Sequence, residues 1–337
     1  MKTCSAIRRR GLLGGAAAAA TLAAPPAPLR AQGGTAARPP AAAPPRRVAV
    51  ATVAMLGDML REVAGDALRT DTLMGEGVDP HLFRPTRADI ARLLSADAVF
   101  AIGHRLEGRM EDVLERLRAS GRTVLAVAEA LPRARLRAHP DYPDAADPHI
   151  WMDPALWAEA AGPLAEAVVA LAPDAREGVR RRLEGLRMRL ARLDAYAREA
   201  LGGIPPDGRL LVTAHDAFGY FGARYGLRLE SLQGISTDSE ASLARVEELV
   251  ALLVSRRVPA IFAETSVPDR AVRALIEGAA ARGHRAALGG TLFSDAMGRP
   301  GTYEGTHEGM LDHNVTTIAR ALGGSVPARG LNGRLAA

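Results

Sequence analysis

Short apolar runs alternate with amphipathic stretches along most of this chain of 337 residues. The apolar runs have the length of buried strands, and the stretches between them have the spacing of helices that cover a sheet. The predicted strands are VAVATVAML (48–56), TDTLMG (70–75), DAVFAIG (97–103), TVLAVA (123–128), RLLVTA (209–214), LRLESL (227–232), PAIFAE (259–264) and RAALG (285–289). Such alternation predicts an α/β fold of mostly parallel sheets flanked by helices.

One long amphipathic segment separates the first four predicted strands from the last four. After Pro173, apolar residues recur at steps of three or four, at Val179, Leu183, Leu186, Leu190, Leu193, Ala197 and Leu201. This stripe predicts a continuous helix of about 30 residues and ~45 Å, enough to lie along two lobes. We therefore predict an N-terminal α/β lobe (47–172), a long rigid connecting helix (173–203) and a C-terminal α/β lobe (204–337).

The amino terminus has the layout of an export signal. A cationic leader, MKTCSAIRRR, precedes the apolar run GLLGGAAAAATLAA, and Pro25–Pro26 end that run before it reaches the ~20 residues of a membrane span. We predict a signal peptide at 1–31, of twin-arginine or Sec type, followed by a Pro/Ala/Gly-rich linker at 32–46. The mature protein is then expected to be a soluble periplasmic protein and a monomer.

Composition excludes several classes of function. The first 31 residues hold five of the 43 basic side chains and no acid, so the remainder has 38 basic and 38 acidic side chains. A nucleic-acid-binding domain would normally keep a basic excess. The only cysteine, Cys4, and the only lysine, Lys2, lie in the predicted signal, so no lipoprotein cysteine follows the apolar run. Disulfides, thiolate metal sites, P-loop chemistry and Schiff-base chemistry are thereby excluded from the mature chain.

Four side chains follow predicted strands and could meet. The tripeptide Asp-Pro-His occurs twice, ending at His81 and His149, and a third histidine, His215, lies in VTAHDAFGYF directly after a strand. Asp295, in TLFSDAMG, follows the last strand. Because ligands of parallel sheets bind outside the carboxyl ends of the strands, these residues are candidates for one shared site, two from each lobe.

Three imidazoles and a carboxylate suit zinc, manganese or iron(II). Four protein ligands leave tetrahedral zinc no open position, which favours holding a metal over catalysis, while a bidentate Asp295 would suit manganese. The alternatives are that single histidines are surface or capping groups and that Asp295 caps a turn. Glu264 is predicted to orient a ligand imidazole, although a simple strand-end cap would also explain it.

A zinc-dependent hydrolase is the competing prediction for the same residues. It requires an open metal position and a general base, for which Asp216 or Glu264 could serve. The sequence contains no H-E-x-x-H motif, and its candidate ligands are spread over both predicted lobes. The hydrolase is therefore the less favoured prediction.

The stretches GVDPHLFRPTRADI, DPHIWMDP, VTAHDAFGYF, FAETSVP, TLFSDAMG and GMLDHNV carry a family resemblance. Over about 47–324 the chain resembles the zinc- and manganese-binding solute-binding proteins of bacterial ABC importers (cluster A-I). The resemblance implies a metal buried between two lobes, with ligands at His81, His149, His215 and Asp295. It also implies capture of the ion in the periplasm and delivery to a membrane permease driven by a separate ATPase.

The chain departs from this family pattern at two points. Zinc-specific members often carry a histidine-rich insertion before the second ligand, whereas RAHPDYPDAAD contains only His139. Many manganese-specific members have Glu where this chain has His215. Both metals therefore stay open, with zinc slightly favoured by the softness of imidazole, and iron(II) as a further candidate.

Overall fold

The structure is a computed structural model that describes residues 46–336, which lie within one compact unit, Pro45–Ala337. The predicted export signal and all but the last residue of the predicted linker lie outside the described residues. Among the described residues, no helix has both the length and the apolar character needed to span a bilayer. The boundaries of the two lobes stay a prediction.

A parallel sheet forms the first part of the described chain, as predicted. Its strands are β1 (Val48–Ala51), β2 (Arg69–Thr72), β3 (Ala98–Ala101) and β4 (Thr123–Ala126), in the spatial order β2-β1-β3-β4. Strand β3 lies inside the sheet and is buried at every residue, which explains its uninterrupted apolar sequence.

Three helices connect these strands: α1 (Ala54–Ala64), α2 (Arg87–Ser95) and α3 (Glu111–Ala119). The prediction of a strand over 48–56 was wrong in its second half, where α1 begins. The residues that α1 buries, Met55, Leu56, Met59, Leu60 and Val63, have the spacing of one helix face. An apolar run long enough for a strand therefore contains a strand end, a turn and the first helical turn.

The predicted long helix is present as α5 (Arg176–Gly202), and every residue of the predicted stripe is buried. It packs against α1, against α4 (Pro154–Leu171) and against a helix from the end of the chain. Helix α4 was not predicted. Asp153 caps it through the N–H groups of Ala155 and Leu156, but it is so rich in apolar residues that it shows no clear amphipathic stripe.

The second half of the chain forms two parallel strand pairs. Strand β5 (Leu210–Thr213) pairs with β6 (Arg228–Ser231), and β7 (Ala260–Glu264) pairs with β8 (Ala287–Leu292). The helices are α6 (Gly219–Tyr225), α7 (Leu243–Arg256), α8 (Arg270–Ala281) and α9 (His307–Ala321), the last of which packs on α5. The predicted α/β class, with parallel strands and one long helix, is confirmed.

Candidate metal centre

The four predicted ligands lie together. Each of His81, His149, His215 and Asp295 offers one ligand atom, and these atoms are all within 4.8 Å of one another. The Nε2 atoms of the three histidines lie 3.5, 3.3 and 3.1 Å from an oxygen of Asp295, in that order along the chain. All four residues are buried.

The ends of the strands bring these residues together. His215 lies two residues beyond β5, and Asp295 lies three residues beyond β8. His81 lies in the turn region between β2 and α2, and His149 directly precedes the short 3₁₀ turn Ile150–Met152 that leads into α4. Two ligands thus come from the part of the chain before α5 and two from the part after it.

Both copies of the Asp-Pro-His tripeptide form the same hydrogen-bonded turn. The aspartate side chain accepts the backbone N–H of the histidine two residues later, at 2.9 Å between Asp79 Oδ1 and His81 N and at 3.0 Å between Asp147 Oδ1 and His149 N. The proline fixes the backbone between them. Each copy is therefore a closed turn that presents an imidazole.

Carboxylates orient two of the three imidazoles. Asp147 Oδ1 lies 2.8 Å from His149 Nδ1, and Glu264 Oε2 lies 2.5 Å from His215 Nδ1, while Glu264 Oε1 accepts the backbone N–H of His215 at 2.9 Å. A carboxylate at Nδ1 fixes the proton there and leaves the Nε2 lone pair for a metal. Glu264 lies where the sequence-based prediction placed it. The role of Asp147 was missed, although its signal is the first letter of the second Asp-Pro-His.

The inward-facing atoms suit a cation. The three Nε2 atoms and both oxygens of Asp295 are buried and, among residues 46–336, have no hydrogen-bond partner. Leaving so many polar atoms buried without partners is costly unless another species satisfies them. Three nitrogen donors and one carboxylate form the donor set of a borderline divalent transition metal.

The charges around the site favour ionised groups in the absence of metal. Burial would lower the pKa of His149, but its hydrogen bond to Asp147 and the nearby charge of Asp295 outweigh this and raise the pKa to about 9. Burial would lower the pKa of His215, but the charges of Glu264 and Asp295 raise it well above its ordinary value. The charges of these two imidazoles hold the pKa of the Asp295 carboxyl well below its usual range, although burial opposes this. A metal would have to displace protons from both imidazoles.

His81 differs from the other two histidines. Burial lowers its pKa to about 3, and the opposing charge of Asp295 does not compensate. No hydrogen bond from the described part of the chain reaches Nδ1 of His81. Its imidazole is therefore neutral and ready to bind a metal, and the turn that begins at Asp79 positions it.

Trp151 closes the side of the site next to α4. Its ring lies edge-on to the His149 ring at a centroid distance of 5.2 Å, and its Nε1–H donates to the Ser294 carbonyl at 2.9 Å. His307, at the start of α9, lies behind it with Nε2 2.8 Å from the Trp151 carbonyl oxygen. Trp151 thus shields the site from water and links it to the loop that carries Asp295.

Comparison with known proteins places these features in a family. Residues 49–321 match the family model of ZnuA, described as zinc-uptake complex component A, periplasmic. The chain is 41% identical over 272 residues to the manganese-binding lipoprotein MntA of Bacillus subtilis, covering 81% of this chain and 88% of MntA. It is 42% identical over 275 residues to the zinc-binding protein TroA of Treponema pallidum, covering 82% and 88%. The solved structure of TroA, a periplasmic zinc-binding protein, matches with a TM-score of 0.80 and covers 82% of this chain and 99% of TroA.

Proposed function

Because the chain belongs to the ZnuA family of periplasmic zinc-uptake components, we propose that it captures a divalent transition-metal ion in the periplasm and delivers it to the permease of an ABC importer. The family consists of substrate-binding transport proteins, not enzymes, and its members work with a permease and an ATPase. The observation that carries the proposal is the buried meeting of three imidazole nitrogens with one carboxylate, all within 4.8 Å.

We assign the ligands as Nε2 of His81, His149 and His215 and the carboxylate of Asp295. Zinc would accept these as a closed tetrahedron, and manganese would accept them with Asp295 bidentate. Relatives of nearly equal identity are named for manganese and for zinc, and a more distant one, YfeA of Yersinia pestis, for iron. Zinc is slightly favoured here, because the site has three imidazoles and one carboxylate.

The predicted signal at 1–31 would export the protein, and the linker at 32–46 would connect that signal to the folded part. MntA is named a lipoprotein, whereas this chain has no cysteine after the apolar run. We propose a soluble, monomeric periplasmic carrier that does not bind nucleic acid. The equal numbers of acidic and basic side chains beyond residue 31 support the last point.

The hydrolase alternative is not favoured. Of its two nominated bases, Asp216 and Glu264, Glu264 already uses both carboxylate oxygens to hold His215, and the family is a transport family. The first observation counts against Glu264 as a free general base, and the second counts against a hydrolase with either base.

Metal binding is expected to stabilise the folded protein. After removal of metal with a chelator, zinc at a hundredfold excess over its Kd should add about 2.7 kcal/mol to the free energy of unfolding. For a protein of this size that raises the melting temperature by about 5 °C. Differential scanning calorimetry with zinc, manganese and calcium would test this, since calcium prefers all-oxygen sites and serves as the control. A melting curve that neither zinc nor manganese shifts would refute the carrier proposal.

Glu264→Gln is expected to weaken zinc binding by about 10- to 100-fold. Glutamine can accept only one of the two N–H groups of His215 that Glu264 accepts, so the imidazole loses its fixed tautomer and orientation. The measurement is competition titration against a zinc chelator. Glu107→Gln is the matched control, since Glu107 is also buried and accepts from Thr52, Ile102 and Gly103, none of which is a ligand. Equal affinities of the two variants would show that Glu264 has no orienting role.

A further inference from the structure

The two Asp-Pro-His turns differ in the further partner that each aspartate side chain binds. Asp147 acts locally, and its Oδ1 accepts from both the backbone and the ring of His149. Asp79 instead uses Oδ2 to accept the hydroxyl of Thr237 at 2.6 Å, across 158 residues of sequence. The carboxylate that positions His81 is therefore held from the far half of the chain.

Thr237 belongs to a turn that faces His81 across a cavity of about 290 Å³. His81 and Pro148 line this cavity from the half of the chain before α5, while Ile235 and Ser236 line it from the half after α5. The cavity opens to solvent and has His81 in its wall. The turn at 235–238 therefore borders an opening next to His81.

The turn is itself well supported. The side-chain amide of Gln233 donates to the carbonyl oxygens of Thr237 and Ser239, at 3.4 and 3.0 Å. An ion pair between Arg109 and Asp238 also joins the two halves at 3.2 Å, but both side chains are exposed. Exposed pairs of this kind contribute little. Thr237 is 6% exposed, and its bond to a carboxylate contributes more than a neutral hydrogen bond.

His81 depends on the Thr237–Asp79 hydrogen bond for its position, because no carboxylate holds its ring. His149 and His215 each have a carboxylate at Nδ1, whereas His81 receives no such bond from the described residues. Behind His81, its carbonyl oxygen approaches Gly108 so closely that an added Cβ there would lie 2.6 Å away. The backbone of the turn is thus seated on one side and tied through Asp79 on the other.

From these contacts we infer that the Thr237–Asp79 hydrogen bond is the latch that keeps His81 in place over the bound ion. It sets the rate at which the ion leaves and makes Thr237 a positioning residue for release. The inference rests on the proposed carrier function. Opening begins where this bond breaks, because it is the buried side-chain contact that ties the Asp-Pro-His turn of His81 to the turn at 235–238.

Thr237→Val removes the hydroxyl and keeps the side-chain volume. We expect zinc to dissociate on the order of tenfold faster, because the variant loses a hydrogen bond to a charged acceptor. The association rate should change by less than about twofold. Stopped-flow mixing of the zinc-loaded full chain with excess chelator measures the first rate, and mixing of the metal-free chain with zinc measures the second. Thr237→Ser, which keeps the hydroxyl, should restore slow dissociation.

Thr265→Val is the matched control. The Thr265 hydroxyl is buried and has no hydrogen-bond partner among residues 46–336, so its removal should leave the dissociation rate unchanged. The latch is overturned if Thr237→Val dissociates at the wild-type rate, if Thr237→Ser does not restore the rate, or if both valine variants accelerate release equally. The melting temperature of metal-free Thr237→Val should fall only by the few degrees that one hydrogen bond to a charged acceptor contributes. A larger fall would mean that a general loss of structure causes the faster release, which would overturn the specific role of this bond. If the wild type takes up no zinc at all, the carrier function itself fails, which is a different result.

Discussion

Asp295→Asn is expected to weaken zinc binding by more than about a hundredfold. That loss is larger than the about 10- to 100-fold expected from replacing a residue that only holds a ligand in place. Asp295 is the anionic group among the four assigned ligands, and its oxygens lie 3.1 to 3.5 Å from all three imidazole Nε2 atoms. Asparagine keeps the shape but removes the negative charge that balances the cation. Its amide N–H₂ would also direct hydrogens at an imidazole or at the metal.

Competition titration of zinc against a chelator of known affinity measures this loss. The matched control is Asp312→Asn, because Asp312 is a fully buried carboxylate that bonds to Tyr303, Thr316 and the backbone of Leu331, outside the metal site. It should lower the melting temperature of the metal-free protein and leave zinc affinity unchanged. An Asp295→Asn protein that binds zinc within tenfold of the wild type would remove Asp295 from the ligand set.

Zinc affinity is expected to rise by at least about tenfold per pH unit between pH 6 and 8, and more steeply where His215 also holds a proton. In the metal-free protein the pKa of His149 is raised to about 9, so its imidazole holds a proton across this range. The pKa of His215 is also raised well above its ordinary value. Each proton that zinc displaces contributes about a factor of ten per pH unit. Titrations in buffers of different ionisation enthalpy measure the number of protons released.

The stability of the metal-free protein should change in the opposite direction. A histidine whose pKa is raised on folding stabilises the folded state fully below its unfolded pKa of about 6.5. That contribution is lost as the pH rises through the folded pKa, which for His149 is about 9. From pH 6.5 to 9 the contribution of His149 to the melting temperature of the metal-free protein should therefore fall. Over the same range the increase in melting temperature on adding zinc should grow.

Asp147→Asn tests the cause of this pH dependence. Without the carboxylate at Nδ1 the pKa of His149 should fall toward its ordinary value, and zinc should displace fewer protons near neutral pH. The affinity of the variant should then change less steeply with pH than that of the wild type. Identical slopes for the two proteins would contradict the assignment of the raised pKa to Asp147.

Local patterns allowed much of the fold to be predicted. The stripe from Val179 to Leu201 predicted α5, because a helix face repeats every three to four residues whatever surrounds it. The predicted strands were found for the same kind of reason, although their ends moved. Where apolar residues cover all sides of an element, as in α4, or where two elements share one apolar run, as in β1 and α1, periodicity carries no boundary signal.

The candidate site was predicted in type and position but not in arrangement. The sequence indicated that His81, His149, His215 and Asp295 follow strands, and that Glu264 ends one. It could not indicate that the two aspartates of the Asp-Pro-His turns have different further partners, Thr237 for Asp79 and the His149 ring for Asp147. That the three histidines and Asp295 bind one metal ion together stays a prediction, which the titrations above test.

The sequence by itself determined the kinds of donor atom and the turns that present them. Asp79 and Asp147 each close their own turn through an N–H two residues away, and such short-range contacts are encoded locally. Only the tertiary structure decided that Asp79 also binds Thr237 and that Glu264 binds His215. Contacts across such long stretches of chain depend on how strands, helices and α5 pack together, and identical tripeptides hold no information about that packing.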